Sequence, residues 1–548
     1  MFTHAPGPRI NLDRAFPCSF ACKKASAGLE RRVNHGILTR PQRQCKIVKI
    51  SLSTFPPAHH EWFPKMKKCC IIKRPRLLAL TCALILIGAL IVLRFARTQP
   101  YDRSQADLLY QERAAELPVR GEITLRWLPE EQIAAVTESL TLVNTTESDW
   151  PDIALRTYAG AYALEETSPA ALDEFYDEAY PDDFAYGDIE LEGVWADGAI
   201  TNAGFSDEAR TVLRISHPLR VGEMVHLTLR CRLFIPVSRH RLGISDNAVR
   251  LLHMLPTPCV FENGAWQAPA YATFGEPFYA PFGSYLIHVE APEGWQAVCS
   301  AQGPSSAPSL VLLNGYAVRT GTASGIPISV YARDAADAGK LLRAASDIVN
   351  RLTTALGDLP TNTLSLCALP YFTEAESVTG LVLVRDDLTQ GDAWESDLAF
   401  ALAGQWFGGV TGVDGFHDAW LNEASRQWAA LRYVGLASGS AARETLIESE
   451  IDAAMRENLH AAVTAGSPAD FFPSANVYRA AVRARGCAFL IAADTLSQGR
   501  LDAFLREELA RYPFENLSRT QWAEDFNAFT GTDIAPLMLD YLDTYINE

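Results

Sequence analysis

The hydrophobic period of this chain changes after Asp334, and that change divides it into two joined architectures. From Gly121 to about Gly325 apolar residues alternate with polar ones: Ile123, Leu125 and Trp127 against Thr124 and Arg126, then Val225, Leu227 and Leu229 against His226, Thr228 and Arg230. A period of two puts successive side chains on opposite faces of a strand, so the stretch predicts an antiparallel β-domain over residues 121–330. Beyond Asp334, Leu341, Ala345, Ile348, Leu352 and Ala355 share one stripe of a helix that Gly357 is placed to end. "TLSLCAL" at 363–369 and "GLVLV" at 380–384 read as strands, and from Ser396 the pattern is mostly helical. Residues 331–548 therefore read as a mixed, mainly helical domain, and the expected class is α+β.

Two domains and some additions suit 548 residues of which 48% are apolar. The formal net charge of −17 is unevenly spread. Residues 1–100 hold 18 Lys and Arg against 3 Asp and Glu, leaving 48 − 18 = 30 basic against 65 − 3 = 62 acidic residues in the rest. Phosphate backbones are bound by basic surfaces that release counterions, so this acidic body excludes nucleic acid as the expected partner.

The two regions meet at Leu77–Leu93, "LLALTCALILIGALIVL", preceded by Lys67, Lys68, Lys73, Arg74 and Arg76 and followed by Arg94 and Arg97. An apolar run of this length with a basic N-terminal flank predicts an uncleaved signal anchor. The expected layout is a disordered extension over 1–65, a basic cytoplasmic flank over 66–76, a transmembrane segment over 77–95, a stalk over 96–120, and then the two domains. Met66-Lys67-Lys68 also makes a translation start, under which residues 1–65 are not translated. The expected location is the cell membrane, single-pass, with the N-terminus cytoplasmic and the main body outside. Cys231, Cys259, Cys299, Cys367 and Cys487 follow the run without the spacing of a disulfide scaffold or a metal site, and are expected in the core.

Gln405-Trp406-Phe407-Gly408 is followed by Trp420-Leu421-Asn422-Glu423, with 18 residues between Gly404 and Glu423. Together with "GLVLV" and the preceding β-domain, this order resembles the membrane alanyl aminopeptidase (aminopeptidase N) family of gluzincin zinc metallopeptidases, which carries HExxHQWFG and WLNE at the same spacing. The resemblance implies an N-terminal antiparallel β-domain followed by a thermolysin-like peptidase domain. It also implies a site: two histidines one helical turn apart and a glutamate from the next helix hold zinc, and the glutamate after the first histidine is the general base.

Mapped by that resemblance, the first histidine position is Phe400, the base Ala401 and the second histidine Gly404, so Glu423 alone of the ligand set is retained. The glutamate that holds the substrate's amino group corresponds to Ser377; Glu376, one residue away, is expected on the opposite face of the strand. The oxyanion-binding tyrosine of a YxKG setting corresponds to Arg483 in Arg483-Ala484-Arg485-Gly486, with Tyr478 the nearest tyrosine. Phe400 is expected to fill the space of the metal, and Gly404, inside a helix, to cost about 1 kcal/mol relative to Ala. Restoring Phe400→His, Ala401→Glu and Gly404→His together is expected to recreate three ligands. Arg426 and Arg483 have two readings, as a salt bridge with Glu423 or as a site for an acidic group. His417, His460, Asp414 and Asp418, the other residues able to rebuild a site, are expected at the surface.

The expectation is a membrane-anchored pseudopeptidase that binds or scaffolds, with a peptide or protein ligand in the former cleft and the membrane as partner through Leu77–Leu93. No cofactor is expected. The alternative is an active peptide hydrolase with a relocated site, and zinc belongs to that alternative alone.

Overall fold

The computed structural model describes residues 104–170, 175–300, 302–458 and 462–545. The expectations for residues 1–103, among them the apolar run, and the one for His460 lie outside the described residues. Helix α1, Ser104–Ala115, opens the described chain, and its Tyr110 ring packs 5.7 Å from that of Phe514.

The alternation in the sequence becomes a seven-stranded sheet in the order Gly303–Ser305, Gly283–Glu290, Val119–Leu128, Ile133–Val143, Met224–Phe234, Asp188–Ala196, Ala199–Ile200. Its ladders are antiparallel except for Val119–Leu128 beside Gly283–Glu290, which is parallel. Ile123, Leu125 and Trp127 point inward, as the period of two requires, and pack with Leu227, Leu229 and Leu155. The strand Ile153–Arg156 belongs to a second, four-stranded sheet, between Thr257–Pro258 and Val212–Ile215.

A five-stranded sheet follows, in the order Ala317–Ala323, Ile326–Ala332, Leu364–Leu369, Leu381–Arg385, Ala375–Val378. Its first two strands precede the change of period and its last three follow it. Helix α2, Ala335–Leu356, covers it with the expected stripe, since Leu341, Ala345, Ile348, Leu352 and Ala355 are all buried. The Asp334 carboxylate caps its start by accepting from the backbone of Ala336, and Gly357 ends it at φ +99°, where glycine meets no steric penalty. Helices α3 (Trp394–Ala403), α4 (Ala419–Ser438) and α5 (Gly486–Leu496) build the helical part, with Trp420 packed edge-on against Phe489 and Trp522.

The expected location needs correction. Among the described residues no helix is long and apolar enough to cross a membrane. Helix α2 has the length, but Asp337, Lys340, Arg343, Asp347 and Arg351 line its outer face; α4 carries Glu423, Arg426 and Arg432. Both are amphipathic or internally charged helices of a globular body. The single-pass membrane assignment, with its cytoplasmic N-terminus and outside body, therefore has no support in the described structure.

Candidate functional site

Helix α3 is buried on nearly every side: Leu398, Ala399, Ala401, Leu402 and Ala403 have no contact with solvent, and small residues let the five-stranded sheet and α4 approach it. Phe400 faces a cavity of about 280 Å³ between the helical part and the loop around Gly275. Glu423 of α4 lines the same cavity, so the structure brings the first-histidine position and the retained glutamate together.

Helix α3 ends at Ala403, and Gly404 is its C-terminal cap, not a position inside the helix. A Cβ there would lie 2.5 Å from the Cβ of Ser377. Glycine is thus required by the close approach of the edge strand Ala375–Val378, which corrects the expected small helix cost. Gln405 explains why the strand sits so close. Its side-chain amide donates to Ser377 Oγ at 2.7 Å and to the Val378 carbonyl at 2.9 Å, while its Oε1 accepts from the Gly380 backbone at 2.7 Å. Trp406, wholly buried, donates its indole N–H to the Gly357 carbonyl. The QWFG segment is a structural clamp here.

Around Phe400 the charges form a pattern invisible in the sequence. Arg426 is 1% exposed and pairs at 2.8 Å with Glu276, a residue 150 positions earlier, and its guanidinium carbon lies 4.3 Å from the centre of the Phe400 ring. Arg483 lies 3.6 Å from the same ring centre and donates at 2.6 Å to Gln427 Oε1. Neither arginine makes an ion pair with Glu423, so the salt-bridge reading of these residues is replaced by two cations held over one aromatic ring. Burial raises the Glu423 carboxyl above its ordinary range, with Arg426 opposing. Burial also lowers the Arg483 guanidinium, and the neighbouring Arg479 adds to this.

Residues Arg479–Arg485 form a π-helical segment, whose wider turn lets residues five apart share a face. Tyr478 and Arg483 consequently line one cavity, and the buried Tyr478 hydroxyl is pushed up by desolvation and by Glu423. Glu376 lies on the other face of its strand, as expected, where it pairs with Arg241 at 2.7 Å and accepts from the Tyr371 hydroxyl at 2.5 Å. His417 is exposed and bonds Asp414 at 2.7 Å; neither lines the cavity, nor does Asp418. Glu276 and Arg241 escaped the sequence reading. The one signal for Glu276 was its place as a charged residue inside an aromatic, proline-containing stretch, "YATFGEPFYAPFG", that follows no period; Arg241 lies outside that stretch.

The chemistry of these side chains does not fit a zinc ion. Phe400, Ala401 and Gly404 offer no nitrogen, sulfur or oxygen donor in their side chains, and among the described residues no group of three His, Cys, Asp or Glu could hold a metal. Two guanidinium cations already stand beside Glu423, where a dication would add repulsion. A histidine at 404 would bring its Cβ to 2.5 Å from Ser377 Cβ, so the expected three-ligand restoration requires the edge strand to shift.

No protein-family model matches the chain, and no curated protein is detectably similar to it in sequence. Solved structures are similar in fold. An M1 zinc metallopeptidase mutant from Deinococcus radiodurans superposes with a TM-score of 0.53 at 14% identity, over 77% of this chain and 93% of that one. The same mutant bound to a Tyr-Ser-Ala substrate gives 0.54 at 13% identity, over 78% and 94%. The β-rich first part and the helical second part thus share the fold of the M1, aminopeptidase N-like zinc metallopeptidases.

Proposed function

We propose that this chain is a pseudopeptidase: a binding module on a peptidase fold, whose cleft holds a peptide or protein segment without hydrolysing it. The observation that carries the reading is the pair of arginines over Phe400, which puts an aromatic ring and two cations where the resemblance calls for a metal ligand and its ion. The cavity itself is kept, with Glu423, Tyr478 and Arg483 on its wall, and a lining of aromatic and charged groups suits peptide recognition. That the similar D. radiodurans enzyme is described with a bound tripeptide supports the ligand class. No catalytic step is assigned to Phe400, Ala401, Gly404, Ser377 or Arg483, and no cofactor is expected.

The test is metal analysis of the purified full chain with an assay of aminoacyl and peptide hydrolysis, beside a binding screen against short peptides. Expected are far less than stoichiometric zinc, no hydrolysis, and peptide binding weakened by Arg483→Met. Stoichiometric zinc, or hydrolysis abolished by a chelator, overturns the reading in favour of an active hydrolase.

A further inference from the structure

Four arginines of the described chain are buried to 2% exposure or less, and three of them are satisfied. Arg241 pairs with Glu376, Arg426 pairs with Glu276, and Arg250 donates to the carbonyls of His240 and Pro370 and to Ser245 Oγ. Arg156 is the exception. At 1% exposure its Nε, Nη1 and Nη2 all lack a hydrogen-bond partner, and its guanidinium carbon lies 5.1 Å from the centre of the Tyr158 ring. A permanently charged guanidinium is not left dry and unpaired in a folded protein unless something else meets it.

Arg156 sits on a backbone held in place. Its strand is locked on both sides, paired through Arg156 with Thr257 on one edge and Val212 on the other. Its side chain lines a second cavity, of about 60 Å³, between the β-rich part and the start of α4. Other unpartnered polar atoms surround the same small space, the Tyr158 hydroxyl, Thr379 Oγ1 and Asn422 Oδ1, while His253 Nε2 on its wall lies 3.4 Å from Glu376 Oε1. The one carboxylate on its wall, Glu276, is already committed to Arg426.

We infer that this cavity is a binding site for a small monovalent anion, of halide or formate size, held by the Arg156 guanidinium. A space of this volume takes such an ion with a water, and the Tyr158 and Thr379 hydroxyls supply further donors. The Asn422 amide completes the shell when turned to present its NH2 group. Because the walls come from both parts of the fold, the anion joins them, and its binding energy adds to folding stability by mass action. The site shares Glu276 with the wall of the proposed peptide cleft, but its occupancy by an anion is tested independently of peptide binding there.

The experiment is thermal unfolding of the full chain in sodium chloride, sodium formate and sodium gluconate at equal ionic strength, together with bromide anomalous scattering from crystals. Expected is a saturable rise of the melting temperature in chloride, absent in the bulky gluconate, and a bromide peak within hydrogen-bonding distance of Arg156. Arg156→Met should be at least as stable as the parent in gluconate and should lose the chloride response. A response to formate without one to chloride supports the same site with a small carboxylate as occupant. No saturable response to either anion, with only water beside Arg156 in the bromide crystals, overturns the inference. The bromide measurement uses the unaltered chain and decides however Arg156→Met folds.

Discussion

Arg483 sets its guanidinium carbon 3.6 Å from the centre of the Phe400 ring, and no carboxylate of the described chain lies within ion-pair distance of it. The Gln427 Oε1 acceptor at 2.6 Å and the ring's electron-rich face meet that charge, and the ring serves Arg426 from 4.3 Å as well. Phe400 is therefore a structural counterpart to two cations as well as an apolar filler. Replacing it by leucine keeps most of the volume and removes the quadrupole, which should cost about 1–2 kcal/mol. Replacing it by alanine should cost about 3–5 kcal/mol. Urea unfolding of both variants checks this, and a Phe400→Leu variant as stable as the parent would show that the arginines do not depend on the ring.

Gly404 and Ser377 are coupled through space. Gly404→Ala drives a methyl group to 2.5 Å from Ser377 Cβ and should destabilise by about 1–3 kcal/mol. Ser377→Gly removes the obstructing atom, so the double variant should recover part of that loss despite losing the Gln405 contact to Ser377 Oγ. A double-mutant cycle measures the coupling, and strict additivity would contradict the close approach.

Glu276 holds the Arg426 charge across 150 residues of sequence, and its side chain is only 17% exposed. Glu276→Gln leaves a guanidinium buried beside a neutral group and should cost about 3 kcal/mol. The loss should be visible as a lower urea midpoint at unchanged slope. Glu423→Gln, which removes no ion pair, should cost much less.

Glu138 carries the pH prediction. It is fully buried in the strand Ile133–Val143, neither carboxyl oxygen has a partner, and desolvation raises its pKa well above the ordinary carboxylate value. The folded chain therefore keeps this proton at pH values where the unfolded chain has released it. Its contribution is fully present below the unfolded value, near pH 4, and is lost as pH rises toward the raised folded value, by up to about 1.4 kcal/mol per pH unit. Glu138→Met should accordingly stabilise the protein at pH 7 by about 1–3 kcal/mol. The gain should shrink as pH falls toward 4, and comparing urea unfolding of the two proteins across that range tests the sign.

What the sequence determined by itself is what depends on near neighbours along the chain. Alternation at Ile123, Leu125 and Trp127 fixed which face of that strand turns inward, and the stripe from Leu341 to Ala355 with Asp334 and Gly357 at its ends fixed a helix almost to the residue, because period and capping are local. The spacing from Gly404 to Glu423 likewise located a cleft whose walls do hold Phe400, Glu423 and Arg483. Charge pairing was decided only by the tertiary structure. Arg426 and Arg483 stand close enough to Glu423 to suggest a salt bridge, yet Arg426 takes Glu276 from the β-rich part and Arg483 takes a ring and an amide, since a buried charge goes to whatever acceptor the packing of distant elements brings within reach. The need for glycine at 404 has the same origin, in a strand edge 27 residues earlier that Gln405 pulls against the end of the helix.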